Sequence, residues 1–303
     1  MIKGRSIRGT RGRRAWVHRM PILYMVKSRP FFIHSKAMTE LDSFVESHLN
    51  LQVKISYEDH HDFLLRHNLD ECSQVLDVGT GNGKFVSQLA KDHSNIHFVG
   101  IDKRGPCIES CKKLVRENLE FSQVDMFSRE STFDFSRFDG FLMRYFLLHV
   151  DHSQKIMELL KAKSKKSARF WIIDLDWSQL SCEPPSEAFD KLIKLVKEFC
   201  FKISVDSLGG QNVTPMLQKL GFKNIILENI PFSDQNVSLE DLALYLRQEV
   251  MCYSRMMGRS SHDAETEEIL QFIDKKVISG EIKISYGMAL ISAELEVKSI
   301  FSF

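Results

Sequence analysis

The sequence predicts an α/β fold: a doubly wound, mostly parallel sheet of seven strands, with helices on both faces and helical insertions. Three observations carry the expectation. Residues Val75 to Phe85 read Val-Leu-Asp-Val-Gly-Thr-Gly-Asn-Gly-Lys-Phe, a β-branched run that breaks at alternating glycines and enters a helical pattern. Short apolar runs then alternate with amphipathic segments through six strand and helix units, the pattern of crossover connections between parallel strands. A last apolar run, Tyr286 to Val297, is reached only after a long helical excursion.

The glycines come first because they bear on function. At a strand-to-helix turn they let the backbone enter conformations that a Cβ resists, and they let a ligand lie against the main chain. Backbone N–H groups and the positive end of the next helix then favour a polar or anionic group of a nucleotide-like ligand. Spacing separates two ligand classes. A dinucleotide site has Gly-x-Gly-x-x-Gly, which from Gly79 and Gly81 would require glycine where Lys84 stands. The third glycine is Gly83, and Asp77 precedes the first by two residues. This Asp-x-Gly-x-Gly-x-Gly stretch resembles motif I of the class I S-adenosylmethionine-dependent methyltransferases. The resemblance implies a Rossmann-like sheet with its seventh strand antiparallel at the edge, S-adenosyl-L-methionine as cofactor, and contacts to it from Asp77, Gly79, Thr80, Gly81 and Gly83.

Taken in order, the chain opens with a basic arm over residues 1–37. The first 39 residues hold about ten Lys and Arg and no Asp or Glu, so the net charge of +1 conceals an acidic remainder. The arm has three readings: a nucleic-acid-binding tail, an organelle presequence, or upstream sequence ahead of a start at Met38. Residues 38–303 form the expected methyltransferase domain, with helical insertions at about 178–210 and 233–283. Leu41, Phe44, Val45 and Leu49, then Phe63, Leu64 and Leu65, predict two helices ahead of the glycine turn. The resemblance places such helices over the cofactor, which brings Tyr57, His60 and His61 into consideration.

Ile96 to Ile101 is a buried strand ending at Asp102, 19 residues beyond Gly83. A carboxylate at that strand end can accept hydrogen bonds from both hydroxyls of a ribose; Lys103 beside it is assigned to the same site. Leu119 to Val124 closes on Asp125 and Met126, where the resemblance implies an acid for the adenine amino group and an apolar neighbour for the ring. The next strand runs through Phe138 to Arg144 into Tyr-Phe-Leu-Leu-His149. The Asn/Asp-Pro-Pro-Tyr signature of adenine and glutamine methyltransferases is missing there, and the segment is similar to that of small-molecule methyltransferases. The resemblance implies a general base at His149 and a cofactor or catalytic contact at Arg144. Asp174, Asp176 and Trp177 end the fifth strand, where strand ends face the ligand crevice; Asp176 and Trp177 are candidates for substrate contact, and Asp176 joins the catalytic candidates. Later, Ser238 followed by Asp241 suggests a helix cap, and Met251, Tyr253, Met256 and Met257 form a soft apolar stripe.

Six cysteines without framework spacing predict free thiols in a reducing, cytoplasmic setting, with organelle targeting by the arm as the alternative. No metal is expected. No apolar run approaches the roughly 20 residues of a membrane span. The expectation is methyl transfer to a small-molecule acceptor by a monomer or homodimer, with two alternatives left open: an RNA or protein methyltransferase that uses the arm, and a catalytically silent cofactor-binding scaffold.

Overall fold

The computed structural model describes residues 35–128, 131–150, 152–202, 209–260 and 262–295. The expected arm therefore lies outside the described residues, except Ser35–Ala37 at the start of the first helix. The described residues from Leu41 on form one compact unit, which the packing below concerns.

Helix α1 spans Ser35–Arg66. The two helices expected here are one, because no Gly or Pro interrupts the run. Strand β1 (Gln74–Val78), helix α2 (Lys84–Asp92), β2 (His97–Asp102), α3 (Gly105–Cys111) and β3 (Leu119–Gln123) follow. Next come β4 (Gly140–Arg144), α4 (Ser153–Lys163), β5 (Arg169–Glu183), α5 (Glu187–Lys202), α6 (Gly209–Lys219) and β6 (Lys223–Ser233). The chain then forms α7 (Leu239–Met256), α8 (Ala264–Phe272) and β7 (Lys283–Glu294).

The seven strands stand in the order β3-β2-β1-β4-β5-β7-β6. The pairs β3/β2, β2/β1, β1/β4 and β4/β5 are parallel, and β7 runs antiparallel to both neighbours. This corrects one expectation: the antiparallel strand is inside the sheet, and β6 is the edge. Composition explains the exchange. Strand β7 is buried along nearly its whole length, whereas β6 alternates with many exposed positions and carries Pro231, a residue that sheets tolerate at an edge. Strand β5 also runs beyond the expected Trp177. After a register break between Asp176 and Ser181 it pairs Ser181–Glu183 with Lys283–Ser285, so the first insertion begins as strand and becomes helix only at α5.

Alternating strand residues feed two cores. Val75, Phe98, Leu142, Trp171 and Ile173 pack with α1, α2, α5, α7 and α8. Leu76, Val99, Phe141, Phe170 and Ile172 pack on the other face with α4 and α6. The parallel strands β1, β2 and β4 end on the same side, so the loops that follow them converge, as ligand-binding loops of an open parallel sheet do.

Candidate cofactor and acceptor site

The glycine turn has the backbone its sequence requires: Gly79, Gly81 and Gly83 sit at φ of 76°, 58° and 69°. The amides of Gly79 and Thr80 donate to the Ile101 carbonyl at 2.8 and 2.9 Å, which ties the turn to the end of β2. A Cβ on Gly79 would lie 2.3 Å from the Phe146 ring, and one on Gly83 would lie 2.7 Å from Phe121. Gly81 differs, since a Cβ there meets only Leu49 at 3.5 Å. Two polar groups behind the turn are buried. The Thr80 hydroxyl lies against the Asp77 carboxyl, and burial pushes that carboxyl up to about 6 against the Thr80 hydrogen bond and the pull of Arg144.

Asp102 is 6% exposed and accepts from the Gly81 amide at 3.2 Å, from the Arg104 amide at 2.9 Å and from its guanidinium at 3.2 Å. Lys103 beside it is exposed. Asp125 is exposed at the end of β3 and accepts the Phe127 amide at 3.0 Å, while Met126 packs on the α4/α6 core. Thus Asp77, the glycines, Asp102 and Asp125 all stand at the ends of β1, β2 and β3.

Arg144 ends β4 and is held by α1. Its Nε donates to His60 Nδ1 at 3.1 Å, and Nη2 donates to the Gln52 carbonyl at 3.1 Å and the Ser56 hydroxyl at 3.0 Å. The guanidinium also lies over the Phe85 and Tyr145 rings at 4.7 and 4.4 Å. Desolvation lowers its pKa, partly countered by Tyr145 and Asp77. Tyr145 takes a φ of 50°, uncommon for a bulky residue, and its amide donates to the Ile173 carbonyl at 2.7 Å. His149 closes a 3-10 turn over Leu147–His149 and is exposed to solvent. Desolvation by the surrounding protein, opposed by Glu249 and reinforced by Arg104 and His48, lowers its pKa to about 4; water at the open edge offsets part of that shift.

Asp176 is 2% exposed, and its carboxylate is taken up by a local turn: it accepts from the Ser178 amide at 3.0 Å, the Ser178 hydroxyl at 2.5 Å and the Gln179 side chain at 2.7 Å. Trp177 packs edge-on against Tyr253 and Tyr286. Of the three α1 residues singled out, His60 reaches the site. Tyr57 bonds Asp92 instead, and His61 meets His93.

The residues at the ends of β1, β2 and β3 therefore fit a nucleoside-bearing cofactor: Gly81 sits at positive φ with no protein atom nearer its Cβ position than Leu49 at 3.5 Å, and the Asp102 carboxylate stands beside it. A family model described as a methyltransferase domain matches residues 69–221, half of the chain. The chain belongs to this family. It is an S-adenosylmethionine-dependent methyltransferase. Among solved structures, one described as a methyltransferase from Bacillus halodurans aligns at 16% identity over 79% of this chain and 100% of that one, with a TM-score of 0.52. Phosphoethanolamine N-methyltransferase 2 of Haemonchus contortus, in complex with phosphomonomethylethanolamine and S-adenosylhomocysteine, aligns at 17% identity over 73% of this chain and 48% of that one, with a TM-score of 0.47. No curated protein matches. Among the described residues of the methyltransferase, no helix is long and apolar enough to cross a membrane.

Five residues near Arg144 were not singled out from the sequence: His48, Gln52, Ser56, Tyr245 and Glu249. His48 bridges α1 to Glu249 of α7 at 2.8 Å, and its ring stacks on Tyr245 at 5.3 Å. Desolvation disfavours the charged ring, but the Glu249 charge and hydrogen bond outweigh it and raise the His48 pKa. A signal was present: His48, Gln52, Ser56 and His60 recur every four residues, a polar stripe on one face of a helix.

Proposed function

We propose that the methyl acceptor is a small molecule, received between the Tyr145 to His149 segment and the helices α1 and α7. The observation that carries this reading is the packing of α1 at the end of β4. Gln52, Ser56 and His60 hold Arg144, and His48 ties α1 to α7 through Glu249. A polymer needs an open approach, whereas walls built from helices of the same chain suit a molecule that can be enclosed.

In this reading S-adenosylmethionine supplies a sulfonium-bound methyl whose leaving group is already activated for in-line displacement. Asp77, Gly79, Thr80, Gly81 and Gly83 cradle it, Asp102 with Lys103 takes the ribose end, Asp125 and Met126 take the adenine, and Arg144 borders the reacting end. The chain's main contribution is to align the acceptor with the methyl. For a hydroxyl acceptor, His149 is the group to remove the proton, because its lowered pKa keeps the imidazole neutral at pH 7. Asp176 serves its turn and is given no part in the reaction.

Incubation of the purified protein with methyl-labelled S-adenosylmethionine and, separately, a metabolite extract, bulk tRNA and total protein tests the reading. Label is expected in the metabolite fraction. Label in RNA or protein would overturn the small-molecule assignment, and no label in any fraction despite cofactor binding would favour a silent scaffold.

A further inference from the structure

Asp102 accepts four hydrogen bonds, two at each carboxylate oxygen. Oδ1 takes the Arg104 amide at 2.9 Å and Arg104 Nε at 3.2 Å, while Oδ2 takes the Gly81 amide and Arg104 Nη2, both at 3.2 Å. An ionised carboxylate offers about four lone-pair positions, so all of them are in use. The donors fall into two pairs. The amides of Gly81 and Arg104 belong to the backbone of the glycine turn and of the β2 end, and they stay where the fold puts them. The guanidinium belongs to a side chain that is 57% exposed, against 6% for the Asp102 carboxylate.

The fork of Arg104 delivers one N–H to each oxygen of Asp102. The two adjacent hydroxyls of a ribose can deliver one O–H to each oxygen in the same way. The two cannot be held together, because a backbone amide keeps the other position on each oxygen. Displacing the guanidinium is cheap for two reasons. Charge-assisted N–H···O bonds run at about 2.7–2.9 Å, so contacts of 3.2 Å are loose. A guanidinium already more than half in water also returns to it readily, as the small worth of exposed ion pairs shows.

We propose that Arg104 is an internal competitor for the cofactor: its guanidinium and the ribose diol take the same two positions on Asp102, so binding requires Arg104 to swing out, and Arg104 thereby sets the cofactor affinity. This rests on the reading above in which Asp102 takes the ribose end. The cofactor is received by the fraction of molecules whose Asp102 is clear of the guanidinium, and its apparent dissociation constant is raised by the inverse of that fraction. An ion pair of this kind is closed in most molecules, which makes the increase about threefold to tenfold.

Calorimetry of S-adenosylhomocysteine binding to the full chain tests the proposal with Arg104→Met, Asp102→Ala and the double variant, each checked for folding by a melting scan. Arg104→Met keeps the reach of the side chain and removes its donors, so it should bind about threefold to tenfold tighter than wild type. Its advantage should shrink as KCl is raised from about 20 mM to about 500 mM, because salt screens an ion pair that only the wild type has. Asp102→Ala should weaken binding about tenfold or more, and in that background Arg104→Met should have no further effect. The proposal is overturned if Arg104→Met binds within about twofold of wild type or more weakly, the weaker value meaning that Arg104 touches the bound cofactor. A gain that is indifferent to salt, or that persists in the Asp102→Ala background, also overturns it. Unchanged affinity in Asp102→Ala would overturn the ribose assignment and this proposal with it, whereas a loss there without a gain in Arg104→Met would overturn this proposal alone.

Discussion

Gly81 and His149 show how much a single position can be asked to decide. Gly79 and Gly83 are packed against Phe146 and Phe121, so side chains there would disturb the protein itself. A Cβ on Gly81 meets only Leu49 at ordinary contact distance, so its glycine is explained by φ of 58° and by the ligand. Gly81→Ala should cost about 1–2 kcal/mol in stability from left-handed strain, yet weaken S-adenosylmethionine binding by more than that. Equal losses in melting and in calorimetry would mean the ligand does not approach this Cα. For His149 the sign follows from its pKa, which lies below the ordinary 6.5: the neutral base persists as pH falls, and rate is lost only as pH approaches about 4. The open edge of the ring moves that loss somewhat above 4. If His149 is the base, His149→Ala should lower turnover by about 10²–10⁴ with cofactor affinity intact. A fully active variant would move the reaction to an acceptor that needs no strong base. Circular dichroism at each pH separates acid unfolding from loss of the base.

Among the elements, α7 shows how one helix start serves two ends. Ser238 caps it by accepting the Asp241 amide at 3.1 Å. The reciprocal half of a capping box is not made: the Asp241 carboxylate accepts Lys54 of α1 at 2.7 Å instead. The cap fixes where α7 begins, and the cross-helix pair lies at the surface, where such pairs contribute little. Ser238→Ala should therefore destabilise the protein by about 0.5–2 kcal/mol, while Lys54→Ala should change stability by under about 1 kcal/mol. Urea melts of the two variants check the order, and a larger loss for Lys54→Ala would show that the α1 to α7 contact depends on its surface charge. Met251 and Met257 of the soft stripe are partly buried against the core, and Tyr253 is within it, which fits packing rather than substrate lining.

For the whole molecule, the placement of β7 has the widest consequence. Among the described residues the last strand, β7, joins β5 to β6, so the sheet cannot be completed until residues 283–294 are in place. Its pairing partners are about 50 to 120 residues earlier in the chain, and such long-range pairing slows folding. Native-state hydrogen exchange should find the β7 amides between Met288 and Leu290 among the slowest, opening only with global unfolding, and those of the outer part of β6 markedly faster. Fast exchange throughout β7 would mean that the β6/β7 end of the sheet opens as a separate unit. A chain ending at Ile282 should fail to give a cooperative melt, because it leaves the β5 and β6 edges unpaired.

The sequence by itself determined the glycine turn, the acids at the ends of β1, β2 and β3, and the alternation that makes a doubly wound sheet. These are local patterns: a strand period, a helix period and a spacing of glycines each act within a few residues, so they can be read along the chain. Seven strands and the final strand's antiparallel sense were legible in the same way, through the resemblance that the turn carries. The order β5-β7-β6 was not, because an apolar run states that a strand is buried but not between which neighbours. The fusion of the expected pair of helices into α1 followed from missing breakers, a weak signal beside two apolar clusters. The polar stripe His48, Gln52, Ser56 and His60 was present in the spacing, but its meaning depended on Arg144 and Glu249, which lie 84 residues from His60 and some 200 residues from His48 in the chain. Asp176 shows the converse, since its position at a strand end was legible while the Ser178 and Gln179 donors that occupy its carboxylate depend on how β5 bends. Only tertiary structure decides partners that lie far apart in the chain, as for His48 and Arg144, because the energy of a buried polar group depends on what the fold brings within hydrogen-bond distance.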